Sequence, residues 1–266
     1  MKAAVSPPNG RETGGLPLWA WPTLTLLAVG VLWQAALSLF PLPPWLLPSP
    51  SAIVTATWGW HRQLPMHTLA TLWATLAGYF LAIAVGIPIA AMIVASQFLE
   101  RTVYPILLVL QSVPKVAMAP VLLVWVGYGP WPKILIVFLV CFFPIVIGTA
   151  TGLNSAPPEM LNLVRSLCAT PAQIFVKVRF PSAMPHIFVG LKVAITLAVI
   201  GAVIGEFVGS NQGLGYIIVV SMSQVNTSLA FWSMSLLAIL SILLFYAVEW
   251  LERRLVPWAL PEDLVA

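Results

Sequence analysis

Long apolar runs separated by isolated charges make up this chain, and the gaps between charges locate its helices. Residues 13–60 carry no charged side chain, and within them 23–40 is one apolar run ended by Pro41, Pro43, Pro44, Pro48 and Pro50. The run is longer than the roughly 7–15 apolar residues of a secretory signal, and no clear small-residue cleavage site follows, so it reads as a first membrane span. Further runs cover 69–95, 103–126, 134–153, 187–208 and 229–250, each near the roughly 20 residues that cross a hydrocarbon core. Segment 51–65, with Trp58, Trp60, His61 and Arg62, is too short and too mixed to cross and predicts a helix lying in the interface. The run 103–126 holds Ser112, Pro114, Lys115 and Pro120 near its centre, and each proline removes a backbone donor. A helix broken at that depth must be buried in protein or line a water-filled path.

Composition fixes the class. The 266 residues are 60% hydrophobic and 8% charged, against about 25% charged in a soluble domain. A net charge of +4 is far from that of a disordered polyelectrolyte. The pattern predicts an all-α polytopic membrane protein with six transmembrane helices. Its 12 Lys and Arg residues are too scattered for a nucleic-acid stripe, but their distribution sets orientation. With the N-terminus inside, Lys2, Arg11, Arg101, Arg165, Lys177, Arg179, Lys192, Arg253 and Arg254 fall on the cytoplasmic side, against Arg62 and Lys133 outside. Both termini are expected in the cytoplasm: an N-terminal tail at 1–17, a membrane domain at 18–250 with a cytoplasmic loop at 154–185, and a C-terminal tail at 251–266.

Little of the sequence suggests catalysis. Cys141 and Cys168 make no metal-ligand spacing, and His61, His67 and His186 are far apart, so no metal site is expected. No Gly-rich loop ends in Gly-Lys-Ser or Gly-Lys-Thr, so ATP is not bound by that route. Most of the tryptophans, among them Trp19, Trp21, Trp131, Trp250 and Trp258, stand near span ends as an aromatic belt. Gly78 and Gly86, and Gly201 and Gly205, allow helices to approach closely, within the chain rather than at a dimer seam.

The loop has internal design. Pro157 and Pro158 open it. Residues 159–168 read as a short amphipathic helix with Leu161, Val164, Leu167 and Cys168 on one side, ended by Pro171. A second stretch, 172–180, carries Ile174, Phe175 and Val178 toward the membrane and is stopped by Pro181 and Pro185. Helices with such anchors sit in another protein's groove.

The run Arg165, Ser166, Leu167, Cys168, Ala169, then Val178, Arg179, Phe180 and Pro181, with Gly190 and Leu191 beyond, resembles the cytoplasmic signature of binding-protein-dependent ABC importer permeases. In that pattern a Glu-Ala-Ala triplet, a glycine and an Ile-x-Leu-Pro group recur at the spacing of Asn162–Val164, Cys168 and Val178–Pro181. Cys168 stands at the glycine, and Asn162 at the leading acid, with Glu159 one turn earlier as a substitute. Pro48–Ala52, Pro114–Leu122, Gly127–Gly129, Glu206, Phe207 and Gly213–Tyr216 are similar to the branch serving nitrate, taurine, sulfonates, bicarbonate and thiamine-precursor pyrimidines. The resemblance covers about residues 45–250. It implies a type I importer bundle in the bacterial inner membrane, a second permease copy as a homodimer, an extracytoplasmic solute-binding protein, and two ATPase subunits that bind the ATP and Mg while this chain holds no cofactor. It also implies an ATPase-coupling element made of Glu159, Leu161, Asn162, Val164, Arg165, Leu167, Cys168 and Ala169, and alternating access as the mechanism.

Inside the spans Lys115 and Glu206 stand out, and ionisable residues there are candidate functional groups. Lys115, between Pro114 and Pro120, either faces the translocation path and favours an anionic or strongly polar cargo, or snorkels on its long stem or binds freed backbone carbonyls. Glu206 either contacts cargo or has a structural role, capping the 209–215 loop or pairing with a neighbour. A self-contained secondary transporter or channel is the rival class, but it usually carries paired acids or His relays in its spans, and Glu206 stands there without an acidic partner. A structural or assembly-factor membrane protein is a third class.

Overall fold

A computed structural model describes residues 20–40, 42–56 and 58–259. The expected tail at 1–17, Trp19 and the end of the C-terminal tail lie outside the described residues. Every regular element among them is helical.

The first helix, α1 (Ala20–Leu39), is followed by the short α2 (Pro50–Ala56) and the long α3 (Leu64–Ala95). Segment 51–65 is therefore helical only to Ala56, and α3 starts at Leu64 with a proline in its first turn, a favoured position because the missing N–H has no partner there. After α4 (Gln97–Gln111) the chain breaks at Ser112–Pro114, makes one 3₁₀ turn at Lys115–Met118, and continues as α5 (Ala119–Val126). The two arms of that broken span meet at 83°. Then come α6 (Pro130–Asn154), α7 (Pro158–Ser166), α8 (Pro171–Ile174), α9 (Phe180–Gly209), α10 (Leu214–Ser223) and α11 (Thr227–Leu255).

Four helices are long and apolar enough to span a membrane, and five if the bent pair is one span. The sixth expected span falls on α1, whose 20 residues just reach the required length. It leans on α11 through Trp33 and Phe231, ring centres 6.1 Å apart.

Pro181 and Pro185 do not stop a helix. Residues 171–209 run as one continuous 39-residue helical rod. A π-helical turn at Phe175–Arg179 precedes the prolines, and the Phe180 N–H reaches back to the Phe175 carbonyl, five residues away. That widened turn re-registers the hydrogen-bond ladder just before Pro181, so the proline falls in a first turn where its missing donor costs little.

The core is the pairing of α6 with α9, flanked by α3. Glycines bring the backbones together: a Cβ on Gly190 would lie 2.8 Å from the Pro144 carbonyl oxygen, and one on Gly152 would lie 2.7 Å from that of Ala183. Gly78 and Gly201 both face Val137, and Gly205 faces Lys133, so these small residues serve packing within the chain. Cys141, fully buried, donates to the Ala194 carbonyl across the same interface. Loops 155–170 and Ser96 lie at one end of the bundle, here the loop end; residues 127–129 and 210–226 lie at the far end.

Candidate functional site

At the far end, three successive backbone N–H groups at the start of α10 are each met by a side chain from another helix. Gly213 N–H donates to His67 Nδ1 at 3.0 Å, Leu214 N–H to Thr71 Oγ1 at 2.9 Å, and Gly215 N–H to Glu206 Oε2 at 2.8 Å. Thr71 in turn donates to Glu206 Oε1 at 2.8 Å. A helix N-terminus leaves its first N–H groups without intrahelical partners and is attractive to negative charge. Here α3 and α9 supply those partners and the charge. Because Nδ1 accepts, His67 carries its ring proton on Nε2 when neutral. Gly213 has φ +119°, and a Cβ there would collide with the Glu206 carboxylate, so this position needs glycine on two grounds.

Glu206 is 1% exposed. A carboxylate sealed to that degree lines no path in this conformation; it anchors the 209–215 loop, the second of the two roles considered from sequence. His67 and Thr71 escaped the sequence reading because they lie about 140 residues from their partners, with no local spacing to mark them. Above the latch opens a cleft of about 620 Å³, lined by Tyr128, Lys133, Ser210, Asn211 and Gln212 among others, in which Lys133 Nζ donates to Ser210 Oγ at 2.9 Å.

The broken span places Lys115 in its 3₁₀ turn, half-buried. Its ammonium donates to the Gln111 carbonyl, one of those freed by the break, and stands 4.8 Å from the centre of the Phe143 ring. Of the two roles considered from sequence, these contacts match the binding of freed backbone carbonyls; they engage part of the ammonium's three donors. Pro114 caps the turn and Pro120 opens α5, both where a donor is dispensable.

At the loop end, α7 begins beyond Pro157, with Glu159 in its first turn and Arg165 in its last, both signs suited to the helix dipole. The structure sorts the apolar residues of α7 differently from the sequence expectation. Leu161, Val164 and Ala169 are half-buried against the chain, whereas Met160, Leu163 and Leu167 are exposed, the last two at 61% and 72%. The outward stripe at 160, 163 and 167 is the one with apolar anchors at i, i+3 and i+7; Met160 and Leu163 were not singled out from sequence because 161, 164 and 168 share the same period. Glu159, Asn162 and Cys168 are also exposed.

Cys168 has φ +56°. It ends α7 in a Schellman motif, with Ala169 N–H donating to the Val164 carbonyl at 3.1 Å and Cys168 N–H to that of Arg165 at 2.9 Å. The left-handed geometry explains why the matching position of the signature is glycine. Beside it, Arg165 and Arg179 flank a groove of about 500 Å³ between the loop and the α3–α4 turn.

A bundle of tilted apolar helices with a broken span and an exposed loop helix defines a helical membrane permease. Its fold is similar to that of an inward-facing methionine ABC transporter, MetNI, with a TM-score of 0.63 and 25% identity over 71% of this chain and 94% of that one. The chain belongs to the family of inner membrane components of binding-protein-dependent transport systems, which matches residues 82–260. It is 37% identical to the formylaminopyrimidine transport permease ThiX of Halalkalibacterium halodurans, covering 89% of this chain and 95% of that protein. Identity is 34% to the riboflavin permease RibX of Chloroflexus aurantiacus, over 91% and 93%, and 27% to the taurine permease TauC of Escherichia coli, over 90% and 93%. This chain is thus a multi-pass inner-membrane permease subunit of an ABC importer for a small solute, and the secondary-transporter rival is set aside.

Proposed function

We propose that this chain is one half of a homodimeric pore, with both termini and the loop end in the cytoplasm, working by alternating access. Two partner ATPase chains hold the ATP and Mg and seat α7 in a groove, while an extracytoplasmic binding protein delivers cargo to the far end; this chain catalyses nothing itself. The observation that carries the reading is the exposed stripe of Met160, Leu163 and Leu167 on a helix tipped by Arg165. The positive-inside excess supports the orientation.

For cargo we favour a small nitrogen heterocycle of the formylaminopyrimidine kind over an inorganic anion. Identity is higher to the permeases named for formylaminopyrimidine and riboflavin than to the one named for taurine, and Lys115 is already engaged by its own chain.

The test is co-purification with the ATPase in mild detergent. Wild type should carry two ATPase chains per permease dimer. Leu163→Asp and Leu167→Asp each put a charge into the contact and should lower ATPase retention and stimulated hydrolysis by more than tenfold, since an unpaired buried charge costs about 3–5 kcal/mol. Unchanged hydrolysis in both variants would remove α7 from the coupling role. Competition for uptake by formylaminopyrimidine against taurine decides the cargo class.

A further inference from the structure

An apolar groove between α3, α9 and α11 belongs to neither the latch nor the loop helix. It holds about 200 Å³ and is walled by Tyr79, Phe80, Phe188, Leu191, Leu244 and Leu251 among others. The Tyr79 hydroxyl donates to the Leu191 carbonyl at 3.2 Å. With that phenol's proton committed, the side chains of the wall offer an occupant no free hydrogen-bond donor, so a guest rich in acceptors would lose its water with little compensation. Along α11 the wall runs from Leu244 to Leu251, about 10 Å at 1.5 Å per residue. The slot is narrow, dry and elongated.

At its loop-end mouth the chemistry changes. Lys192 on α9 pairs with Glu252 on α11 at 2.7 Å, and Arg253 pairs with Glu249 at 2.9 Å. Arg254 has no carboxylate partner among the described residues; its guanidinium lies 5.2 Å from the centre of the Trp250 ring. Positions 247, 251 and 254 share one face of a helix, because offsets of three, four and seven residues return to the same side. Arg254 therefore stands one turn beyond the groove, on the groove's own face, at the end of α11 where a tryptophan marks the interface.

An apolar slot that ends at an uncompensated guanidinium fits an acyl chain carrying an anionic phosphate. We propose that this groove binds an acidic phospholipid of the cytoplasmic leaflet, its chain lying along α11 and its net-anionic headgroup phosphate on Arg254, a pairing that a zwitterionic lipid weakens because its own ammonium offsets the phosphate. The planar guanidinium fork matches a phosphate bidentately and is less strongly hydrated than an ammonium. Anionic lipid is enriched in the cytoplasmic leaflet, and basic clefts between helices on that side hold such headgroups. The inference rests on the proposed orientation of α11 in the membrane and is independent of cargo and of how the ATPase docks.

Native mass spectrometry of the purified full chain, offered equal amounts of phosphatidylglycerol and phosphatidylcholine, tests it. Wild type should retain phosphatidylglycerol roughly fivefold over phosphatidylcholine, the scale of one cation at an anionic headgroup. Arg254→Gln, an exposed change that leaves the fold intact, should bring the two lipids to parity, and Arg254→Lys should restore part of the preference. Ala247→Trp, which fills the slot, should lose both lipids. Equal retention of the two lipids by wild type, or a wild-type preference in Arg254→Gln, overturns the proposal. A change of oligomeric state in Ala247→Trp with lipid retention unaltered also overturns it and assigns the groove to a second copy of the chain.

Discussion

Replacing Glu206 separates a latch from a chemical role. In Glu206→Ala two donors lose their acceptor: the Thr71 hydroxyl and the Gly215 N–H, each held at 2.8 Å. Thr71 has a second acceptor in the His67 carbonyl at 3.2 Å, so its hydroxyl can fall back. Gly215 N–H has no such neighbour in the latch and is left unmet in a buried site, at about 2 kcal/mol. That cost loosens the start of α10 locally, and amides 213–215 should exchange with deuterium about 30-fold faster than in wild type. Glu206→Gln keeps a carbonyl oxygen for Gly215 and nearly the same volume, and Thr71 can turn to His67, so exchange should stay within about threefold of wild type. Hydrogen–deuterium exchange on peptides covering 210–220, in detergent and without any partner, reads both variants. Wild-type exchange in Glu206→Ala would refute the latch, and a Gln variant as loose as the Ala variant would show that charge rather than acceptor geometry holds α10. If Gln exchanges like wild type but cannot support uptake, the acid takes part in transport chemically.

Further outcomes follow from the same geometry. Gly213→Ala should be more damaging than Glu206→Ala, because it adds backbone strain at φ +119° to a collision with the carboxylate; far-end exchange and melting temperature check this. Cys168→Gly and Val225→Gly both relieve positive φ, 56° and 58°, and should each stabilise their turn by about 1 kcal/mol, read as slower proteolysis of the loop after α7 and of the α10–α11 turn. Gly190→Val should separate α6 from α9, since its Cβ alone would press on the Pro144 carbonyl at 2.8 Å, and should lower the melting temperature of the whole bundle; an unchanged melt would mean that the interface yields.

Much of the fold is legible in the sequence because lipid leaves few options for an apolar run. The apolar spans and the break around Pro114 and Pro120 can be reasoned from residue type and spacing, and capping by Glu206 is one of the readings that they leave open. Three features cannot. Pro181 and Pro185 look like terminators, yet a π turn just upstream accommodates Pro181 and the helix runs on through Pro185. On α7 two apolar stripes with the same period compete, and which one turns inward is decided by neighbouring elements rather than by the helix itself. Lys115 carries the same pattern whether it faces water or its own backbone, and its contacts with the Gln111 carbonyl and the Phe143 ring are visible only in three dimensions.

The unbroken rod from Pro171 to Gly209 has a mechanical consequence. One of its close backbone contacts with α6, Gly190 against Pro144 and Gly148, lies midway between Ile174 beside the arginine groove and Glu206 in the latch, 16 residues from each. At 1.5 Å per residue the two arms are equal, about 24 Å apiece. Were alternating access to rock the rod at that contact, it would act as a balance beam: a few ångströms of thrust at the groove would reappear, undiminished and reversed, at the buried carboxylate. The beam transmits tilt without gain, so the far-end cleft would open by no more than the loop end is displaced.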